Sequence, residues 1–281
     1  MSFNKIVFIG GTNLLYSCAD IVLKEMGKMN MTVFDISSNI LKRERHRGYK
    51  IITGNKTMLM DFLRNEQEKC LVFSIMNPYI IESDIVTKNN LVIINLHHGL
   101  LPLHPGRNAE AWAIYDEDQY GGFTWHIVST GIDDGDIILQ KKYPIDLKTT
   151  SLKLLKICGE GAKKTITDVL NMKKSEYIKQ SINNDRQTHY AKEIPNDGFL
   201  NIDWNISKIV HFLNAMDYGI LFTLGNPKIR YDNVEYKAIR WKIVLDNKYH
   251  NNRNIDVHDD NNTLIICEKN ILITIQYERI L

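Results

Sequence analysis

The chain has 281 residues, 44% of them apolar and 24% charged, and carries a net charge of only +2. This length holds one large domain, or one of about 200 residues with a smaller one attached, and the composition is that of a soluble globular protein. So small a charge argues against a nucleic acid as main partner, and no apolar run approaches the ~18 residues of a membrane span.

The first ten residues have the pattern of a strand rather than a secretion signal, so a cytoplasmic protein is expected. Cys18, Cys70, Cys158 and Cys267 lack CxxC spacing and lie in mostly apolar surroundings. They read as buried free thiols rather than disulfides or a zinc site.

Lys5 to Ile9 is a β-branched run that opens on Gly10, Gly11, Thr12 and Asn13, then on an apolar-periodic stretch from Leu14 to Met26. Strand, glycine turn and helix in that order begin a doubly wound unit whose helix N-terminus can bind an anion. The pattern G-x-G-x-x-G is missing, so Gly10 to Asn13 stands either as a phosphate cradle or as an ordinary strand-to-helix turn. Met31 to Phe34 is a second strand ending at Asp35, and the basic run Lys42 to Arg47 reads as a solvated face, with direct phosphate binding as its alternative.

Thr57 to Asn65 is expected to be helical, and Cys70 to Ile75 a buried strand leading into Asn77, Pro78, Tyr79, Ile80 and Ile81. Ser83 is expected to cap a short helix through Thr87. Leu91 to Ile94 is a further buried strand, with Asn95, His97 and His98 at its tip, where open α/β sheets present ligand-binding groups. Pro102 and Pro105 make Gly99 to Asn108 a loop.

Ala109 to Asp116 reads as a helix, and Phe123 to Ser129 as a strand with Thr124, His126 and Val128 on one face. The loop Gly131 to Asp136 carries three carboxylates, and Ile137 to Tyr143 is a strand. Ser151 to Leu170 is a helix with Leu152, Leu155, Ile157, Ile166 and Val169 as its buried stripe.

Lys173 to Ile194 reads as a polar connection, followed by a helix from Ser207 to Met216 with Asn205 as its cap. Beyond Gly219 come short strands, Ile220–Leu224, Lys228–Tyr231, Tyr236–Leu245, Asn254–His258, Thr263–Cys267 and Ile271–Tyr277, spaced as in a small antiparallel barrel or folded sheet.

Asn95, His97 and Asp133 form a coherent chemical set. An Asn amide donates to a carbonyl oxygen and keeps donating as it becomes an oxyanion. A histidine moves a proton near neutral pH, and a carboxylate beside it sets its orientation. Together they suit attack on a carbonyl carbon by a nucleophile that the substrate brings. Two other readings remain at this point: a metal site from His97, His98, His104 and His126, whose spacing matches no helical ligand pair, and a purely structural polar cluster.

Asn95 to Pro102, with Ile132 to Asp136, resembles the signature of the formyltetrahydrofolate-dependent formyltransferases, and His189 to Lys192 with Asp197 to Trp204 resembles the link into the C-terminal domain of their tRNA and sugar members. The resemblance implies an α/β fold with a Rossmann-like, mostly parallel sheet domain (1–195) and a small antiparallel OB-like β domain (196–281). It implies Asn95, His97 and Asp133 as catalytic residues. It also implies N10-formyltetrahydrofolate as co-substrate, framed by Asn77, Pro78, Tyr79, Ile80, Ile81, Leu100, Leu101, Gly131 and Asp136, and no metal. Gly99 departs from the pattern, which has a small hydroxyl residue before Leu100-Leu101-Pro102.

Gly106 to Ile114 resembles the loop after the catalytic strand in sugar N-formyltransferases, and an arginine fork suits a pyrophosphate. Arg107 and Asn108, with Gly10 to Asn13, are therefore expected to hold a nucleotide-linked amino sugar, a dTDP-4-amino-4,6-dideoxyhexose. Methionyl-tRNA, water as acceptor in a folate hydrolase, and a non-catalytic nucleotide-binding module are the alternatives. A homodimer through the C-terminal strands is expected, because an unsealed sheet edge invites pairing.

Overall fold

The computed structural model describes residues 3–27, 30–37, 48–181, 187–231, 234–245, 253–258 and 262–280. The first sheet contains β1 (Lys5–Gly10), β2 (Met31–Asp35), β3 (Lys50–Thr53), β4 (Cys70–Ile75), β5 (Leu91–His97), β6 (Tyr120–Ile127) and β7 (Ile137–Pro144), in the order β3-β2-β1-β4-β5-β6-β7. The first five strands pair in parallel, and β6 runs antiparallel to β5. This is the expected Rossmann-like α/β sheet. Its helices are α1 (Asn13–Met26), α2 (Lys56–Arg64), α3 (Ser83–Val86), α4 (Ala109–Tyr115) and α5 (Ser151–Asn171).

Side chains alternate across a strand, which sorts the core into two layers. Val7, Ile9, Cys70, Val72, Leu91 and Ile93 meet Leu59, Met60 and Leu63 of α2 and Ile85 of α3. On the other face the rings of Phe8 and Phe73 stack at 5.1 Å, and Trp125 meets Phe73 edge-on at 5.9 Å. The Trp125 indole donates to Thr165 Oγ1 of α5 at 3.1 Å. Each such fully buried side chain contributes roughly 1.5–3 kcal/mol. A side chain on Gly10 would run into the Ile75 carbonyl at 1.9 Å, so glycine is what lets β1 leave the sheet against β4.

The second sheet has β8 (Phe199–Leu200), β9 (Lys228–Tyr231), β10 (Val234–Leu245), β11 (Asn254–His258), β12 (Thr263–Glu268) and β13 (Ile271–Arg279), in the order β11-β12-β13-β10-β9-β8. It is antiparallel except where β8 meets β9. Leu264, Ile266, Ile273 and Ile275 form its buried face. Between β8 and β9 in the chain comes α6 (Ile206–Met216), whose cap Asn205 accepts the Lys208 N–H as expected. By compactness the chain divides into Met1–Ala109 with Gly122–Lys142 and Lys156–His189, and Glu110–Gly121 with Tyr143–Leu155 and Tyr190–Leu281.

Several local expectations need correction. Ile220–Leu224 is not a strand: Gly219–Leu221 is a 3-10 turn that opens on a positive φ at Gly219 (56°) and is followed by another at Phe222 (47°), and Ile220 is 89% exposed. Along α5 the buried apolar side chains are Leu154, Cys158, Ala162, Ile166 and Val169, while Ile157 is 43% exposed. The true stripe runs mostly at steps of four, one position out of phase with the residues expected in the first turns. Ser83 is the first residue of α3, and Glu82 takes the cap position.

Strand β3 was not expected, because a four-residue edge strand carries too little periodicity to read. The polar connection after α5 docks through bridges Ile137–Ile178 and Gly106–His189. The basic run Lys42 to Arg47 lies outside the described residues.

Candidate active site

Strand period and antiparallel register build the site. Asn95 and His97 are two apart on β5 and share a face. The register of β6 sets His126 opposite Asn95 and Thr124 opposite His97, which brings both onto that same face. Asp133 arrives from the loop before β7. Its φ of +48° is an αL conformation, which Asp tolerates better than most residues. Gln180 Nε2 holds this turn by donating to the carbonyls of Asp133 at 3.0 Å and Gly135 at 2.7 Å. A Cβ on Gly135 would meet Ile127 O at 1.9 Å, so only glycine lets the turn fold back onto β6.

His97 Nδ1 lies 3.3 Å from Asp133 Oδ2, and His126 Nε2 lies 3.3 Å from Oδ1. The Gly106 N–H donates to Oδ2 at 2.8 Å. Burial alone would raise the Asp133 carboxyl. The charge of His97, the hydrogen bond from His126 and the Gly106 amide outweigh it and hold the group well below the usual carboxylate range.

His97 Nε2 is 3.0 Å from the carbonyl of His104. A carbonyl only accepts, so Nε2 carries a proton, and the carboxylate beside Nδ1 favours a second one there. His126 Nδ1 faces Ile127 O at 2.9 Å, and its Nε2, which donates to Asp133, also lies 3.2 Å from the Asn95 amide nitrogen. That amide nitrogen carries two hydrogens and can present one to an acyl oxygen.

The loop after β5 is bolted to the neighbouring strands. Thr124 Oγ1 donates to Gly99 O at 2.6 Å and accepts the Leu101 N–H at 3.2 Å. Gln140 Nε2 donates to Leu101 O and to Thr124 Oγ1, both at 2.9 Å. Leu101 is buried and Leu100 half-buried. His98, on the opposite face to His97, is buried, with no hydrogen-bond partner for Nε2 among the described residues. Burial, with the charge of His97, pushes it down to about 4, so it is a neutral ring.

The structure joins some of the remaining expected residues and separates others. The Asn77 side chain closes its own turn, accepting from Tyr79 N at 3.1 Å and donating to Tyr79 O at 3.0 Å. Arg107 reaches this turn and donates to the Pro78 carbonyl, while Asn108 has φ +54°. Ile80 is 73% exposed, whereas Ile81 packs into the core layer under α2.

Gly131 is exposed, and the Asp136 carbonyl accepts the Ile127 N–H at 2.9 Å. Gly10 to Asn13 lies at the end of β1, with β4 between it and β5. There the N-cap Thr12 makes no capping bond, and its Oγ1 is buried with no partner among the described residues.

Sequence reasoning missed His126, Thr124, Gln140 and Gln180 as parts of this arrangement. The shared face of Thr124 and His126 was legible from alternation, but the strand they would face was not. Among the described residues no group of three or more His, Cys, Asp or Glu is placed to hold a metal ion. No helix there is long and apolar enough to cross a membrane.

Residues 50–170 match the formyl transferase family model. GDP-perosamine N-formyltransferase of Brucella melitensis is 28% identical over 123 residues, 44% of this chain and 47% of that one. The chain thus spans about half the length of that relative. Methionyl-tRNA formyltransferase of Clostridium tetani is 25% identical over 222 residues, 72% of this chain and 69% of that one.

Among solved structures, that of WlaRD, a sugar 3N-formyl transferase in the presence of dTDP and 5-N-formyl-THF, covers 100% of both chains with TM-score 0.72 and 21% identity. That of the N-formyltransferase from Helicobacter canadensis, in complex with folinic acid and dTDP-3-aminofucose, covers 99% of this chain and 100% of that one with TM-score 0.71 and 18% identity. At these identities the structures establish a shared fold.

Proposed function

We propose, on the premise that residues 50–170 of this chain form a formyl transferase domain, that it moves the formyl group of N10-formyltetrahydrofolate to the amine of a nucleotide-linked amino sugar. The observation that carries the proposal is the convergence of Asn95, His97 and Asp133 on one edge of the sheet, with His97 Nδ1 at 3.3 Å from Asp133. The neutral amine attacks the formyl carbon, a C–N bond forms, and the carbonyl oxygen becomes an oxyanion. Asn95 Nδ2–H and His97 Nε2–H donate to that oxygen, each well-aimed donor being worth ~3 kcal/mol.

Asp133 holds His97 and takes up the amine proton through water. Breaking the bond to N10, with a proton delivered there, releases tetrahydrofolate. The turn Asn77 to Ile81, with Leu100, Leu101, Gly131 and Asp136, frames the pterin largely through backbone groups.

Arg107 and Asn108, with Gly10 to Asn13, hold the diphosphate. Its carrier in this proposal is thymidine, supported by the two whole-chain structural likenesses, which contain dTDP or dTDP-3-aminofucose. Those same likenesses favour an amine at C3 over the C4 position expected from sequence. The proposal includes a catalytic domain over 1–195, a β domain over 196–281, a cytoplasmic setting and a homodimer. The last is supported by β11, a terminal strand of the second sheet.

The test is turnover with N10-formyltetrahydrofolate and, in parallel, a dTDP-3-amino sugar, a dTDP-4-amino sugar and methionyl-tRNA. Formylation of the 3-amino sugar, seen as a mass gain of one CO, is the expected result. Modification of methionyl-tRNA alone would overturn the acceptor. Nucleotide binding with no transfer to any acceptor would leave a non-catalytic module.

A further inference from the structure

We propose that Gln180 is a positioning residue for the acid–base pair: its side-chain amide fixes the backbone of the turn that aims the Asp133 carboxylate at His97. The one amide nitrogen donates to Asp133 O at 3.0 Å and to Gly135 O at 2.7 Å, which uses both of its hydrogens. Its Oε1 is buried with no hydrogen-bond partner among the described residues. Turning the amide over would set that oxygen against two carbonyl oxygens, so two donors toward the turn outweigh one acceptor left alone. The backbone held in this way needs holding. Asp133 sits at φ +48°, and such a conformation persists only where its surroundings over-determine it.

The connection after α5 supplies this amide and a second hold on the same residue. Ile137 and Ile178 exchange backbone bonds of 2.8 Å in both directions, which brings Gln180 beside the start of β7. Further on, the His189 N–H donates to Pro105 O and His189 O accepts the Arg107 N–H, both at 2.9 Å. A Cβ on Gly106 would stand 2.1 Å from His189 O, so the two backbones approach as closely as glycine allows. Gly106 held there donates its N–H to Asp133 Oδ2. Asp133 is thus fixed by its backbone through Gln180 and by its carboxylate through Gly106. Burial raises that carboxyl, and His97, His126 and Gly106 pull it below the usual range only from the positions this turn gives them. Other parts of the turn have bonds of their own, Ser129 Oγ to Asp134 and Ile127 N to Asp136 O. Loss of the Gln180 donors therefore releases the Asp133 peptide in particular. The placement of Asp133 follows from geometry, whereas its effect on turnover rests on the formyl-transfer reading above.

The experiment uses the full chain labelled with 15N-glutamine. In the unsubstituted protein both Gln180 side-chain amide hydrogens are expected to be protected from solvent exchange, the resonances being assigned by their loss in Gln180→Met. That variant keeps the length and removes the donors. Its folate KM stays within about threefold while kcat falls about tenfold or more, since a misplacement of ~1 Å can cost about 10²-fold. Its Asp133 carboxyl, followed by 13C, titrates at higher pH than in the unsubstituted protein. Gln180→Glu is the conservative variant. As a carboxylate it faces two carbonyl oxygens with no donor, and they raise its pKa; once protonated it offers one O–H. Its kcat relative to the unsubstituted protein therefore climbs as pH falls from about 8 to about 5.5, whereas the Gln180→Met ratio stays flat.

Rapid exchange of both Gln180 amide hydrogens in the unsubstituted protein would overturn the inference without recourse to any variant's folding. So would an unchanged kcat or Asp133 titration in Gln180→Met, a folate KM that rises as much as kcat falls, or a Gln180→Glu ratio indifferent to pH. If the unsubstituted protein formylates no acceptor, the formyl-transfer reading fails, and the amide exchange and the Asp133 titration still decide the role of Gln180.

Discussion

Oδ2 of Asp133 faces two groups at once: the His97 ring, with Nδ1 at 3.3 Å, and the backbone N–H of Gly106, which donates to it at 2.8 Å. The carboxylate thus ties the tip of β5 to the loop that follows it. The same oxygen that orients the imidazole also pins the segment whose His104 carbonyl meets the other ring nitrogen. Disturbing either partner displaces the ring at both ends.

His97→Asn and Asp133→Asn should each lower kcat by about 10²- to 10⁴-fold, the range for a positioned acid–base group. In Asp133→Asn the ring loses the charge that favours its second proton. The folate Kd should change little, because the pterin contacts are proposed to be backbone groups. Steady-state kinetics beside equilibrium folate binding check this; equal losses in both would mean that the residues merely shape the pocket.

Thr124 is fully buried and serves Gly99 O, Leu101 N and Gln140 Nε2. Thr124→Val keeps the shape and removes the oxygen, leaving buried backbone groups unpaired at a cost of about 1–3 kcal/mol. Denaturant unfolding should show that loss. The folate KM should rise as well, since the released loop carries Leu100 and Leu101.

His98 makes stability depend on pH. Its folded-state pKa is lowered from 6.5 to about 4, so below 6.5 the unfolded chain binds a proton that the folded one refuses. Stability therefore falls as pH drops from about 6.5 towards 4, by roughly 3 kcal/mol in all at 1.36 kcal/mol per unit. His98→Leu should flatten this part of the profile, as measured by urea midpoints across the range. An unchanged slope would show that another group causes it.

The Arg107 guanidinium donates to the Pro78 carbonyl, so the loop expected to hold the diphosphate is tied to the turn expected to frame the pterin. Arg107→Met should raise the KM for a dTDP-amino sugar about tenfold, the order of one charge-assisted hydrogen bond. It should also weaken folate binding. A change confined to folate would assign Arg107 to the turn alone.

Much of this was legible because it is local. Compact apolar runs at Lys5 to Ile9 and Cys70 to Ile75 marked strands, and Asn205 announced the start of α6. The region from Gly219 to Leu224 misled because an apolar run looks the same whether or not a partner strand is available, and here positive φ at Gly219 and Phe222 turns the chain outward. In α5 a stripe chosen by hydrophobicity alone went wrong where Cys158 and Ala162, small residues suited to close packing, hold the buried positions.

The sequence by itself determined which residues could share a face, and it carried two separated motifs whose amide, imidazole and carboxylate suit one reaction. Only the tertiary structure decided that His126 stands across from Asn95, that Thr124 holds the loop below His97, and that the ring lies over Gly99 with its Nε2 on a backbone carbonyl. The physical reason is that facing is a property of one strand's two-residue period, readable along the chain. Register is set by hydrogen bonds between strands distant in sequence, and no local pattern records it.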